Sequence, residues 1–104
     1  MIPVVKVSGK GRSYNASSKL LKLCKGDSVK FHWAGGLPHD VVTVAAAAWS
    51  TCGLAGKKGV AALGVSGSKT VKYAAGSKTY SYLCSVPGHC SAGQKLRVSV
   101  SSKC

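Results

Sequence analysis

Cys84-Ser85-Val86-Pro87-Gly88-His89-Cys90-Ser91-Ala92-Gly93-Gln94 decides how this chain is read. The segment places a thiol, an imidazole and an amide on one short loop at C-x4-H-x4-Q spacing. A trigonal set of one thiolate and two imidazoles, with a weak axial fourth group, is the donor set of a blue-copper site. The loop supplies one imidazole, so a second must come from elsewhere. His39, in Leu37-Pro38-His39-Asp40-Val41-Val42-Thr43-Val44, follows a proline and opens a β-branched run, and it is the candidate. The rival, His32, sits mid-strand on the face opposite Phe31 and Trp33, where it is expected to be solvated.

Strand parity agrees with this choice of donors. Tyr80, Tyr82 and Cys84 alternate onto one face, so tyrosines in the core send the thiol inward as well. Gln94 shares parity with Leu96, Val98 and Val100, against Lys95, Arg97 and Ser99. A buried amide needs a partner, and axial contact with copper would provide one. In the competing account Gln94 lies in the loop and bonds backbone. Zinc is the chemical rival, with Cys84, His89, Cys90 and His39 as an imagined tetrahedron. An amide is a poor zinc donor, which favours copper.

Beyond these residues, Gly26-Asp27-Ser28-Val29-Lys30-Phe31, His39-Asp40-Val41-Val42 and Trp49-x2-Cys52, together with Tyr82-Leu83-Cys84-x3-Gly88-His89-Cys90-x2-Gly93-Gln94-Lys95, resemble the phytocyanins, a cupredoxin family. The similarity covers about residues 20–100. Gln94 in place of the plastocyanin Met makes it stellacyanin-like. The chain departs from the pattern at Asp40, where the family has Asn, in its Ala/Gly-rich middle, and in Cys24 and Cys104. The resemblance implies an all-β Greek-key sandwich or barrel of about seven to eight strands with one short helix. It also implies one copper ion held by His39, Cys84, His89 and Gln94, and a disulfide between Cys52 and Cys90. Cys24 and Cys104 then remain for a second bridge, unless one stays free or Cys104 joins two molecules. Such pairing implies an oxidising compartment.

With 104 residues, the expectation is one domain over 1–104. Strands are expected at Ile2–Val7, Lys19–Cys24, 29–33, Val41–Val44, Lys69–Tyr73, Thr79–Cys84 and Gln94–Val100, with turns at Ser8–Gly11 and Ala74–Ser77. Residues 45–68 read as irregular, with a helical turn through Ala45–Ser50. Gly35-Gly36-Leu37-Pro38 and Val86-Pro87-Gly88 flank the two histidines with small and apolar residues, leaving imidazole edges near solvent. Asn15-Ala16-Ser17 fits a glycosylation sequon.

Net charge +13, from 15 Lys and Arg against two Asp, favours acidic or otherwise anionic partners. The lysines are scattered, Lys57-Lys58 being the longest run, and no nucleic-acid motif accompanies them, so nucleic acid is not an expected partner. Two carboxylates leave little equipment for acid–base catalysis, and the expectation is a carrier rather than an enzyme. No apolar run is long enough to span a bilayer. The expected protein is a monomer outside the cell or at its wall, its leader removed, with the thylakoid lumen as the alternative. Two functions fit: single-electron transfer by copper to an anionic redox partner, or a secreted copper-binding, cell-surface interaction module.

Overall fold

A computed structural model describes residues 4–8, 12–15, 17–34 and 36–104. Nine strands and one short helix follow in order among them: β1 (Val4–Ser8), β2 (Arg12–Asn15), β3 (Leu20–Cys24), β4 (Ser28–Trp33), β5 (His39–Thr43), α1 (Ala46–Trp49), β6 (Lys58–Gly64), β7 (Gly67–Lys72), β8 (Lys78–Leu83) and β9 (Lys95–Ser101). They build two sheets, ordered β1-β4-β7 and β2-β3-β9-β8-β5-β6. β3 and β9 pair in parallel; every other pairing is antiparallel.

Alternation makes the sandwich. Leu21 and Leu23 on β3, Val29, Phe31 and Trp33 on β4, and Leu96, Val98 and Val100 on β9 recur at period two and are all buried. They close on Val41, Tyr73 and Tyr82 to form the main core. The Tyr73 and Tyr82 hydroxyls lie 2.7 Å apart and satisfy one another inside it.

β5 and β8 break the alternation because the large sheet is covered on both faces where they lie. Val41 and Tyr82 enter the main core, while Val42 and Leu83 face a second cluster with Val44, Ala48, Trp49 and Cys90. A consecutive apolar run in a strand is the signature of that double burial. α1 is the cover. Its Trp49 Nε1 donates to the Tyr82 carbonyl at 2.9 Å, and Lys95 Nζ and Arg97 Cζ lie 4.2 and 4.5 Å from the indole centroid.

The all-β sandwich and the helical turn in 45–50 are as expected. The strand expected at Lys69–Tyr73 is present within β7, but the middle is more ordered than the sequence implies, since Lys58–Gly64 form β6 and β7 already begins at Gly67, inside the stretch 45–68 read as irregular. Gly59, Ala61, Ala62 and Gly64 are poor strand formers alone; pairing along β5 and packing of Val60 and Ala61 on the core supply what propensity lacks. His32 is half-buried on β4 rather than fully solvated. Of the turn read at Ser8–Gly11, Ser8 closes β1 and residues 9–11 lie outside the described residues, as do Ile2 and Pro3 of the expected first strand, Gly35 of the histidine-flanking loop and Ala16 of the sequon.

Gly67 bears directly on the end of the sandwich where β5 begins. It pairs with Trp33, and a Cβ at this position would run into the indole ring. Trp33 Nε1 in turn donates to the Gly64 carbonyl at 2.8 Å, which locks the β6–β7 turn opposite His39.

Candidate metal centre

Two elements deliver the donors. β5 starts at His39, opposite Gly64 on β6, and β8 ends at Leu83, one residue before Cys84. Val42 pairs with Leu83, so the start of β5 and the exit of β8 meet at one end of the molecule. Register fixes this meeting before any side chain is considered.

The loop from 84 to 94 then folds on itself. His89 N–H donates to the Val86 carbonyl at 3.0 Å, Gly93 N–H to Cys90 at 2.9 Å, and Ala92 N–H to Gly88 and His89. Gly88 (φ 84°) and Gly93 (φ 105°) take left-handed backbone that side-chain-bearing residues avoid. Gln94 closes the neck, its N–H donating to the His89 carbonyl at 3.0 Å and its carbonyl accepting from Cys84 N–H at 3.1 Å. The three loop donors anticipated from the sequence are therefore tied together through backbone. The Cys52–Cys90 disulfide, with Cα atoms 5.7 Å apart, fastens the loop to the segment after α1.

His39, Cys84 and His89 converge. Their ligand atoms all lie within 4.8 Å of one another. Cys84 Sγ stands 4.0 Å from His39 Nδ1 and 3.5 Å from His89 Nδ1, and the two rings are 4.9 Å apart, centre to centre. Such separations suit two bonds of about 2.0–2.3 Å meeting at a single ion. Trp33 meets the His39 ring edge-on at 6.4 Å. Cys84 is 1% exposed, while both histidines are only half-buried, so the thiol is shielded and the imidazoles lie toward the outside. His32 is not part of this cluster.

The residues present fit a copper ion. Gln94 is buried, and its Oε1 has no hydrogen-bond partner among the described residues. An orphaned acceptor carries a cost that a cationic neighbour removes. Zinc fits worse, because Cys90 is consumed by its disulfide and the cluster lacks a fourth strong donor. Cys84 is the free cysteine among the described residues; Cys24 and Cys104 are bridged, their Cα atoms 6.0 Å apart.

The thiol sits in an opposed environment. Burial pushes the Cys84 pKa up, backbone hydrogen bonds from Asp40 and Val86 pull it down, and the Asp40 charge pushes it up again. A cation bound there would supply the missing counter-charge. Sequence reasoning noticed Asp40 only as a departure from the family pattern. In the structure it is 9% exposed, its Oδ1 accepting from Ser85 N–H at 2.7 Å and its Oδ2 from the Ser85 hydroxyl. Its scarcity was the available signal, since a +13 chain with two carboxylates keeps each for a reason. Asn15, of the sequon, is exposed on β2, and its side-chain oxygen accepts from Ser17 N–H and Oγ.

The family model for copper binding proteins of the plastocyanin/azurin family matches residues 3–101. Among solved structures, spinach plantacyanin is 28% identical, with a TM-score of 0.57 over 76% of this chain and 80% of that one. The cucumber basic protein, a blue copper protein, is 31% identical, with a TM-score of 0.58 over 76% of each chain. A reduced amicyanin variant, 18% identical with a TM-score of 0.51 over 92% of this chain and 97% of that one, shares the fold. No curated protein sequence matches the chain at a significant level.

Proposed function

Because the chain belongs to the copper-binding plastocyanin/azurin family, we propose that it holds one copper ion between His39, Cys84 and His89 and carries single electrons. The observation that supports this most is the convergence of Cys84 Sγ and two imidazole Nδ1 atoms at one end of the sandwich. Copper in such a site cycles between Cu(I) and Cu(II). Cys84 provides the thiolate, His39 and His89 the imidazoles, and Gln94 Oε1 the weak axial contact, as in a stellacyanin-like phytocyanin. The rest of the chain keeps these groups where they are. Backbone bonds among Cys84, His89 and Gln94 and the Cys52–Cys90 bridge hold the loop, and the Trp33–Gly64 bond holds the turn beside His39. Rigidity of this kind limits rearrangement between oxidation states.

Access for a partner comes from the surroundings of the histidines. Leu37, Leu63 and Val65 are exposed, and the segments 36–39, 63–67 and 84–93 contain no lysine or arginine. A partner can approach there without desolvating a charge. The reading is of a carrier and not an enzyme, a single domain over 1–104, acting as a monomer outside the cell. Two disulfides suit that oxidising setting, and among the described residues no helix is long and apolar enough to cross a membrane.

Copper(II) addition tests the proposal by absorption spectroscopy. An intense visible thiolate-to-copper band is expected, lost in Cys84→Ser; its absence from the wild-type protein overturns the assignment. A second reading, a copper-binding surface module, is favoured by one feature. An open groove of about 610 Å³, reached at the Thr43 end of β5 rather than the His39 end, is rimmed by Lys58, Lys69 and Lys78. Fast electron self-exchange supports the carrier; slow exchange with tight binding to an acidic glycan supports the module.

A further inference from the structure

We propose that the groove between β6, β7 and β8 binds a chain of uronic acids, an acidic carbohydrate held among Lys58, Lys69 and Lys78. This is the groove of the second reading above, and the proposal stands whether or not a metal occupies the other end of the sandwich.

Strand register makes the groove more than a basic patch. Lys69 on β7 pairs with Phe31, Lys78 on β8 with Val100, and Lys58 on β6 with Thr43, which itself pairs with Tyr82. Residues paired across two strands share one face of the sheet, and Phe31, Val100 and Tyr82 belong to the main core. All three lysines therefore leave their strands on the inner faces, where alternation elsewhere places apolar side chains. They stay exposed and rim an opening of about 610 Å³, a size in the ordinary range of ligand sites. Inward lysines on edge strands guard against aggregation, and β6 and β7 are edges. β8 is an interior strand, so Lys78 has no edge to protect. No acidic side chain of the chain offsets the three lysines. Asp27 Oδ2 accepts from Cys24 N–H at the β3–β4 turn, and Asp40 is tied to Ser85.

The lining selects among anions. Val60, Val71 and Tyr80 form a half-buried floor packed on the core, while Thr43, Thr79 and Ser81 add polar groups to the walls. A uronic acid ring offers a partner to each: a carboxylate to lysine, a C–H face to the floor, and hydroxyls to hydroxyls. An extended peptide fits less well. β5 pairs with β8 only at Val42 and Thr43, and Val44 N–H takes the Ser81 carbonyl. The open edge of β8 thus runs from Lys78 to Tyr80, shorter than an ordinary strand of about five residues. β7 lends Lys69 and Val71, two residues of one face, rather than its edge. A planar anionic membrane meets a recess poorly, whereas a slender chain enters it.

Calorimetric titration of the full chain with tetragalacturonate tests this, at about 0.1 M salt, where charges more than ~10 Å apart are largely screened. Binding is expected, and it should vanish when the carboxylates are methyl-esterified; a wild-type protein that does not bind overturns the proposal. Lys58→Gln, Lys69→Gln and Lys78→Gln together should weaken binding about tenfold, roughly a factor of two for each exposed ion pair. Lys22→Gln, Lys25→Gln and Lys30→Gln remove the same charge from exposed positions elsewhere and should weaken it by less than about twofold. Equal losses in the two triple variants would trace binding to net charge and overturn the groove. Amide resonances of Val60, Val71 and Thr79 should shift during the titration, which keeps the proposal falsifiable if the first triple variant folds poorly. Shifts centred on the histidine end would overturn it. Tetraglutamate or phosphatidylserine vesicles bound as tightly, with the same loss in the groove variant, would replace the carbohydrate by an acidic peptide or a membrane. The copper reading fails separately, on a missing blue band, so the two failures are distinguishable.

Discussion

The two ends of this sandwich differ in almost every respect that governs encounter. At the histidine end, Leu37, Leu63 and Val65 are exposed, the donor-bearing segments carry no basic residue, and the one carboxylate nearby is buried. At the other end, Lys58 pairs with Thr43 where β5 finishes, Lys78 with Val100 where β9 finishes, and Lys72 with Ser28 where β4 starts. No exposed acidic side chain offsets them, since both carboxylates are buried. Lys19 is an exception, since its Nζ lies close to Gly93 of the ligand loop. The difference teaches that, under the proposed function, most of the positive charge would lie away from the end where electrons leave. Long-range attraction can act on one end while a close, uncharged contact forms at the other.

The two disulfides divide along the same line and give the largest expected effects. Cys52–Cys90 closes a separation of 38 residues beside His89, and Cys24–Cys104 one of 80 residues from the β3–β4 turn to the last residue. Loop entropy makes the longer bridge the more stabilising by about 0.7 kcal/mol, with each worth about 2–5 kcal/mol. Replacing each pair by alanines should therefore lower the unfolding free energy comparably in denaturant titrations. The copper spectrum should change only when Cys52–Cys90 is lost. Equal spectral changes in both variants would break the distinction between the ends.

Gly67→Ala probes the histidine end without touching a donor. The added Cβ meets the Trp33 indole, and overpacking of this kind costs roughly 1–3 kcal/mol. Because Trp33 bonds Gly64 and lies against His39, the copper spectrum should shift along with stability. A destabilised variant with an unshifted spectrum would show that Trp33 supports the fold but not the imidazole.

Gln94→Met sharpens the comparison at the metal itself. An amide oxygen is a harder donor than a thioether, so a soft sulfur should favour Cu(I) and raise the potential while the blue band survives. An unchanged or lower potential in voltammetry would remove Gln94 as the axial group.

How much was legible beforehand depends on where information sits in a sequence. Cys84, His89 and Gln94 were readable as candidate donors because C-x4-H-x4-Q is local, and alternation assigned Tyr82, Leu96 and Val98 to the core. β6 was not readable: its Gly and Ala residues carry no strand signal, and the partner that orders them, β5, is distant in sequence. The Asp40–Ser85 tie was hidden for the same reason, since it joins residues 45 apart that only the β5–β8 register brings together. The uncharged histidine end was half visible. The lysine-free segments can be read directly, but their gathering at one pole depends on the pairing of His39 with Gly64.

Salt dependence is the smallest effect and the most direct test of separated ends. With net charge +13, electron transfer to an anionic partner should slow as ionic strength rises, and transfer to a cationic partner should accelerate, as the Debye length contracts to about 8 Å. If the charge acts from the far end, the dependence should be shallower than a charge of +13 centred at the histidines would give. Lys58→Gln, Lys69→Gln and Lys78→Gln together should flatten it further, because they remove three cations around the groove while leaving spectrum and potential as they were. Binding to a carboxylated polysaccharide should weaken in the same triple variant, and saturating polysaccharide should leave self-exchange at the histidine end intact. Polysaccharide that blocks self-exchange would place the anion site over the copper end. The separation of functions would then be lost, although the copper centre would stand.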